Sequence, residues 1–197
     1  VWGFEHSLRG MRNPLNSHIK SDSYYDNDNY VIGENDFGLA QRLIKAGNEH
    51  RKFMRQIFVS VDITAPLYWW KEYDTYKVAT VANSTSTMHK IHSKPFSIDD
   101  FSCDHMTDGT KKFMETVVAE LENIRLRFKV TKSKDDWYDM IQLLPSSYNQ
   151  MRTCTFNYET LINIYRARKN HKLAEWHTFC DWIETLPYAE QLITFEP

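Results

Sequence analysis

The sequence predicts an α+β fold, a single domain spanning residues 1–197 in which helices pack against a β-sheet. Two stretches are predicted to be strands, Phe58–Thr64 and Gln150–Phe156. In the first, aliphatic residues alternate with Ser, Asp and Thr, which is the two-residue period of a half-buried strand. Between Thr110 and Phe128 the apolar residues instead recur every three to four positions, as on one face of a helix.

The composition is that of an ordinary globular protein. Of 197 residues, 42% are hydrophobic and 25% charged, and the net charge is −2. No block of Lys or Arg stands out, so we do not expect nucleic acid as a partner. We expect no membrane span either, because no apolar run approaches the roughly 18 residues required. Cys103, Cys154 and Cys180 have no paired spacing and no hydrophobic signal region is seen, which predicts reduced thiols in a cytoplasmic protein.

The N-terminal part of the chain, residues 1–34, is predicted to be rich in loops. An Asn-Pro pair favours a turn, and the segment Ser21–Tyr30, rich in Ser, Asp, Asn and Tyr, is predicted to be a loop. A helix is expected to begin near Asn35 or Asp36, which are good N-caps, and to end at Gly47.

The elements later in the chain are predicted from residues that end strands or helices and from the helical spacing of apolar residues. Pro66 ends the first strand and opens a helix. Residues 93–109 are a predicted loop insertion, longer than most loops, which hints at a functional or interface segment. Further helices are expected from Thr110 to Phe128, from Asp135 to Leu143 and from Leu161 to Arg168.

Two separated stretches carry short motifs in a definite order. Residues 46–48 (Ala-Gly-Asn) end a helix, residues 65–66 (Ala-Pro) end a strand, and residues 67–73 begin the next helix. Further along the chain come a Leu-Pro, a strand-end Asn, a helix-end Arg and an Ala-x-Trp: Leu144, Pro145, Asn157, Arg168, Ala174 and Trp176. In this order, and over about half of the chain, they resemble the motifs of the flavin-dependent thymidylate synthases, the ThyX family.

The signature of that family, Arg-His-Arg-x-x-Ser, is degraded in this chain. Its position is occupied by Thr75, Tyr76 and Lys77, with Thr80 in place of the serine. A later Ser-x-Arg element becomes a run of hydroxyl residues at 84–87. The planar guanidinium of arginine grips phosphate with two parallel hydrogen bonds, whereas lysine acts only as a point charge. The chain is therefore identified as a divergent member of the family.

The resemblance implies a fold, a reaction and an assembly. The implied fold is a twisted β-sheet packed by helices. The implied reaction is the reductive methylation of dUMP to dTMP with FAD as cofactor, NADPH as reductant and methylenetetrahydrofolate as carbon donor. The protein contributes positioning and electrostatics around the cofactor and needs no nucleophile. The family also implies a homotetramer that binds its flavin between subunits and takes a pyrimidine nucleotide as ligand.

The resemblance further implies roles for single residues. Arg168 would be the catalytic residue, because it would hold the nucleotide near its reacting ring. The other implied substrate ligands are Lys71, Glu72 and Ser86, and the implied flavin ligands are Tyr76, Lys77, Thr80 and Asn157. For two of them a structural interpretation stays open: Arg168 as a cation at a helix C-terminus and Asn157 as a helix N-cap.

Two further interpretations stay open for the whole chain. A catalytically silent relative of the family would bind a nucleotide or a flavin, or would only assemble, and the loss of the signature arginines favours this. The other is a metal site, since imidazole and thiolate groups are normal zinc ligands. Its candidate ligands are His89, His92, Cys103 and His105, although their spacing matches no known metal motif.

Overall fold

The computed structural model describes residues 1–76 and 78–195 and combines helices with two small sheets. The α-helices are α1 (Phe4–Arg12), α2 (Glu34–Lys45), α3 (Leu67–Tyr73), α4 (Thr87–Lys90), α5 (Asp108–Thr131), α6 (Lys134–Leu143), α7 (Tyr158–Arg168), α8 (Ala174–Glu184) and α9 (Ala189–Leu192). The strands are β1 (Tyr24–Asp26), β2 (Asn29–Val31), β3 (Phe58–Pro66), β4 (Val81–Ser84) and β5 (Asn149–Asn157). The predicted α+β class is confirmed.

The two strands predicted from the sequence, β3 and β5, pair in a sheet of order β3-β5-β4. The oxygens of Ser60 and Thr155 lie 2.6 Å apart, and Thr153 Oγ1 donates to Asp62 Oδ1 at 2.6 Å. The residue numbers of these partners rise along β3 while they fall along β5, so the two strands are antiparallel. Along β3 the polar residues are exposed and Val59 is buried, so the predicted alternation is confirmed.

The chain forms two compact units. The first consists of Val1–Val61, Tyr76–Val81 and Cys154–Pro197, and the second of Asp62–Thr75 and Ala82–Thr153. The boundary between them falls inside both long strands. That residues 1–197 act as a single domain stays a prediction.

The core of the first unit is formed by helices. α7 buries most of its circumference, including Leu161 and Ile162, and α8 buries Trp176 and Ile183 completely. Tyr158 is buried as well, and its hydroxyl donates to the carbonyl oxygen of Pro187 at 2.6 Å. This core holds the first two turns of α7, whose C-terminal end is more exposed.

The segment Ser21–Tyr30 is a hairpin rather than the predicted loop. β1 and β2 pair antiparallel, with Tyr25 opposite Tyr30 and their rings 5.2 Å apart at 66°. Tyrosine favours strands, and Asn27 in the connecting turn takes a φ of 52°, which asparagine tolerates. The prediction was wrong because it gave more weight to the polar residues typical of turns than to the strand preference of the tyrosines.

The start of α2 also differs from the prediction. The helix begins at Glu34, and the carboxylate of Asp22 accepts hydrogen bonds from the backbone N–H groups of Asn35 (2.8 Å) and Asp36 (3.1 Å). Asp36 is completely buried instead of capping the helix. The predicted end is confirmed, because Gly47 has a φ of 100°, the left-handed conformation that glycine adopts without strain.

The second unit has its own apolar core around α5 and α6. The predicted insertion 93–109 contributes to it, because Phe96, Phe101 and Cys103 are buried against α5. The helix starts at Asp108 after Thr107, so Thr110 is not its cap, while α6 matches the prediction within one residue. None of the helices in the described residues combines the length and hydrophobicity needed to cross a bilayer.

Candidate functional site

Arg168, at the C-terminal end of α7, lies against two aromatic rings of the first unit. Its Nε donates a hydrogen bond to the phenolic oxygen of Tyr76 at 3.0 Å. The guanidinium carbon lies 4.8 Å from the centre of the Trp176 ring and 5.6 Å from that of Tyr76. A cation within about 6 Å of an aromatic ring face is attracted by the electrons of the ring. The half-buried guanidinium is therefore held beside two flat surfaces.

Trp176 provides one of the two rings beside the Arg168 guanidinium. It is completely buried near the start of α8, with its ring 6.1 Å from Tyr76 at 70° and 6.0 Å from Phe179 at 81°. The ring of His171 lies 6.3 Å away on another side. A guanidinium carries its N–H donors in one plane, which is the geometry that suits a planar anion.

Tyr76 and Thr80, two of the expected flavin ligands, belong to the same turn of the first unit. Thr80 Oγ1 donates to the carbonyl oxygen of Tyr76 at 3.0 Å, and Ala79 between them has a φ of 61°. The structure thus brings Tyr76, Thr80 and Arg168 together. Lys77, another of the expected flavin ligands, lies outside the described residues.

Asn157 ends β5 and caps α7. Its Oδ1 accepts hydrogen bonds from the backbone N–H of Thr160 at 2.9 Å and from Thr160 Oγ1 at 3.2 Å. The side chain is buried, and both contacts use only its oxygen. Asn157 therefore acts as the N-cap of α7, and its role as a flavin ligand stays a prediction.

The other expected substrate ligands belong to the second unit. Lys71 is exposed on α3, and Glu72 beside it is half-buried. Ser86 caps α4, because its Oγ accepts a hydrogen bond from the backbone N–H of His89 at 3.0 Å. Thr75 donates its hydroxyl to the carbonyl oxygen of Glu72 at 2.7 Å. The hydroxyls of Ser86 and Thr75 therefore have structural partners.

Comparison with solved structures identifies the architecture. A crystal structure of the flavin-dependent thymidylate synthase ThyX from Helicobacter pylori, complexed with FAD and dUMP, superposes with a TM-score of 0.71 at 18% identity, over 98% of this chain and 94% of that one. The chain has the ThyX fold. A second structure of the Helicobacter pylori protein with FAD and dUMP gives 0.71 and 18% over 96% and 92%. No protein-family model and no curated sequence matches.

One residue that the sequence analysis missed in this ThyX fold is Arg152 on β5. In the second unit its Nη1 donates to Asp74 Oδ1 at 2.9 Å and its Nε to Gln150 Oε1 at 3.0 Å. Its guanidinium carbon lies 4.3 Å from the centre of the Trp70 ring. Its position in the strand could have indicated it. Arg152 lies two residues after Gln150 and two before Cys154, and therefore on the face of β5 that is buried.

A second missed group surrounds Glu159, in the first turn of α7. Arg55 donates to both carboxylate oxygens of Glu159, through Nε and, at 3.2 Å, through Nη2. The Nε of Arg51 lies 3.6 Å from the same carboxylate, and Arg51 Nη2 donates to Asn163 Oδ1 at 2.7 Å. Glu159 raises the pKa of Arg55, whereas burial and then the nearby charge of Arg166 lower that of Arg51. Two guanidiniums thus share one carboxylate.

The metal-site interpretation finds no support in the described part of the chain. There, no group of three or more His, Cys, Asp or Glu side chains is placed to hold a metal ion. The candidate ligands His89, His92, Cys103 and His105 are not assembled into a site of that kind. His92 instead packs its ring 4.9 Å from Phe128.

Proposed function

We propose that the chain binds a flavin and a pyrimidine nucleotide and acts as a divergent flavin-dependent thymidylate synthase, converting dUMP to dTMP. The observation that carries this proposal is the arrangement of Arg168 beside Tyr76 and Trp176. These residues were implied by the family resemblance from distant parts of the sequence. The ThyX fold, found in proteins solved with FAD and dUMP, supports the same proposal.

In this proposal Arg168 binds the nucleotide. Its guanidinium would donate hydrogen bonds to the planar pyrimidine, with Trp176 fixing its plane and Tyr76 its rotation. For Lys71, Glu72 and Ser86, the proposed role as substrate ligands rests on the family resemblance alone. Tyr76, Lys77, Thr80 and the amide of Asn157 would bind the cofactor.

FAD would supply the hydride chemistry, with NADPH as its reductant and methylenetetrahydrofolate as carbon donor. The residues present fit such a cofactor in part. The half-buried ring of Tyr76 lies beside the cation of Arg168, whereas the ring of Trp176 is completely buried. The stretch from Val78 to Ser86, however, contains no Lys or Arg, so it offers phosphate groups only hydroxyl, amide and backbone N–H donors.

We also propose the assembly and location that the family implies, a homotetramer in the cytoplasm without membrane or nucleic-acid partners. The three cysteines are free and buried, which agrees with a reducing compartment. Size-exclusion chromatography with light scattering measures the number of subunits directly.

The proposed function is tested by ligand binding followed by turnover. Calorimetry of the purified chain with FAD, and with dUMP, should give saturable binding of both. Incubation with dUMP, NADPH, FAD and methylenetetrahydrofolate should then form dTMP, detected by chromatography. A protein that binds neither ligand is not a flavin-dependent thymidylate synthase.

A catalytically silent ThyX homologue is the second candidate, and one observation favours it. Thr75 stands where the family has an arginine, and its hydroxyl is bonded to the backbone at Glu72. Such a protein would bind FAD or a nucleotide without forming dTMP. The turnover assay distinguishes the two candidates once binding has been measured.

A further inference from the structure

The long helix α5 of the second unit has a buried face and an exposed face. Met114, Val118, Leu121 and Ile124 lie on the buried face and belong to the core of the unit. Because an α-helix turns by about 100° per residue, the opposite direction can be read from the sequence. Six residues lie there, all of them exposed and here called the exposed face of α5: Lys112, Thr116, Ala119, Asn123, Leu126 and Val130.

The exposed face of α5 has the spacing of a heptad repeat. Its residues follow one another at alternating steps of four and three positions, the pattern that lets one helix contact another along its length. From 112 to 130 the face is about 27 Å long, at a rise of about 1.5 Å per residue. Leu126 is 50% exposed and Val130 85%. This face therefore suits a second helix.

The same face is complementary to a second copy of itself in the antiparallel orientation. Around a two-fold axis three contacts form, and each occurs twice: Asn123 on Ala119, Leu126 on Thr116 and Val130 on Lys112. A large side chain meets a smaller one in the first two contacts, and Val130 meets the aliphatic stem of a lysine in the third. A polar Asn at such a position specifies the register of paired helices.

Charges beside the exposed face match this arrangement. Glu115 and Lys129 are both exposed, and each stands seven positions from Glu122, so the three residues lie on one flank of α5. In the antiparallel pair Glu115 of one chain comes beside Lys129 of the second copy. The two-fold axis makes two such ion pairs. The charges thus favour a second copy of the chain as the occupant of this face.

Two carboxylates close to the two-fold axis do not oppose this pairing. Glu122 would approach Glu122 of the second copy, but Arg125 of its own chain donates to both of its oxygens, at 2.7 and 2.6 Å. Glu120 would approach Glu120 of the second copy on the other flank, and Arg127 Nη1 lies 3.8 Å from its carboxylate. Each negative charge is therefore accompanied by a positive one in the same chain.

We propose that the chain associates with a second copy of itself through the exposed face of α5, the two helices running antiparallel. This contact does not involve the arrangement around Arg168, so it holds or fails independently of flavin and nucleotide binding. One helix pair is smaller than a standard protein interface of about 1,600 Å², so the association is reversible and depends on protein concentration.

The first test is sedimentation equilibrium of the full chain over a range of micromolar concentrations. Leu126→Glu places a carboxylate in the contact and should weaken the association at least about tenfold, because a charge buried without a partner is unfavourable. Lys90→Glu, at an exposed lysine of α4, is the control and should associate like the unmodified chain. Circular dichroism verifies that each variant is folded.

An exchange of charges tests the antiparallel register. Glu115→Lys alone and Lys129→Glu alone each bring two pairs of like charges into the contact, so both variants should associate more weakly than the unmodified chain. The double variant Glu115→Lys with Lys129→Glu restores two pairs of opposite charges. It should associate like the unmodified chain, which no role of the single residues in stability would explain.

The outcomes separate this contact from other forms of assembly. Recovery of association in the double variant supports the antiparallel pair. A chain that stays monomeric at every concentration overturns it, and so do single variants that associate like the unmodified chain. A double variant as weak as the single ones contradicts the register. If the chain forms a tetramer whose mass none of these substitutions changes, the tetramer uses other surfaces and the α5 contact is wrong.

Discussion

Arg168 Nε donates a hydrogen bond to the hydroxyl of Tyr76 over 3.0 Å, between residues 92 positions apart in the sequence. The proposed resemblance would place Tyr76 at the histidine of the family signature and Arg168 at the matching helix end. The contact would then link the most altered motif to the better matched one. The tyrosine hydroxyl fixes the orientation of an arginine that the proposed function assigns to the nucleotide.

Replacing Arg168 with Ala should weaken dUMP binding at least about tenfold, because charge-assisted hydrogen bonds contribute about 1.5–3 kcal/mol. Calorimetry measures the dissociation constant. Arg166→Ala is the matched control, since Arg166 is exposed on the same helix and lies outside the aromatic arrangement. Equal affinities of the Arg168→Ala variant and the unmodified chain would remove Arg168 from the site.

Tyr76→Phe should keep the ring and lose only the hydroxyl that Arg168 donates to. We expect the free energy of unfolding to fall by about 0.5–1.5 kcal/mol, the net contribution of a typical hydrogen bond. The dUMP affinity should fall less than in Arg168→Ala, because the guanidinium keeps its contact with Trp176. Urea unfolding and calorimetry measure both quantities. A loss as large as that of Arg168→Ala would mean that Tyr76 contacts the nucleotide itself.

The elements with a local pattern could be predicted from the sequence, and the missed ones depend on distant partners. β3 shows its alternation over the seven residues from Phe58 to Thr64, and α6 is a helix of ten residues. Asp36, in contrast, is of a type that suits an N-cap, and only the fold brings Arg12 to it. The positions of Arg152 and Arg55 depend in the same way on residues 78 and 104 positions away, which no local pattern reveals.

The cysteines should be unreactive in the folded protein. Cys103, Cys154 and Cys180 are buried, and burial raises the pKa of Cys103 and, with the nearby acids Asp181 and Glu184, that of Cys180 to about 11. Because the thiolate is the reactive form, Ellman's reagent should label the native chain very slowly. In denaturant all three thiols should react rapidly. One fast thiol in the native protein would contradict the described burial.

The buried pair of Arg12 and Asp36 should be a major element of stability. Arg12 Nε lies 2.5 Å from Asp36 Oδ1, and the hydroxyls of Ser21 and Ser23 each donate to Oδ2 at 2.6 Å. Asp36→Asn should lower the free energy of unfolding by about 3–5 kcal/mol, because a buried guanidinium loses its counter-charge. Asp28→Asn, in the exposed hairpin turn, is the control and should change it little.

The same carboxylate should give stability a pH dependence. Burial alone would raise the pKa of Asp36, but the hydrogen bonds from Ser21, Ser23 and Arg12 outweigh it and lower the pKa. A lowered folded-state pKa means that the contribution is present above the unfolded value, about 4, and is lost as the pH falls through the folded value. As the pH is lowered below neutral, the free energy of unfolding measured in urea should therefore fall more steeply in the unmodified chain than in the Asp36→Asn variant. Parallel pH profiles would contradict this assignment.

Arg152 should stabilise the second unit far more than an exposed arginine does. It combines an ion pair with Asp74, a hydrogen bond to Gln150 and a stacked Trp70 ring, and its side chain is only 17% exposed. Arg152→Met keeps the length of the side chain and loses the charge, which should cost about 1–3 kcal/mol.

Arg127→Met is the matched control for that substitution. Arg127 also faces carboxylates, Glu120, Asp136 and Asp139, but it is 50% exposed, so its loss should cost less than about 1 kcal/mol. A double-mutant cycle of Arg152→Met with Asp74→Ala, measured by urea unfolding, should give a coupling energy of at least about 0.5 kcal/mol. Zero coupling would show that Arg152 stabilises the unit through Trp70 and Gln150, without its ion pair.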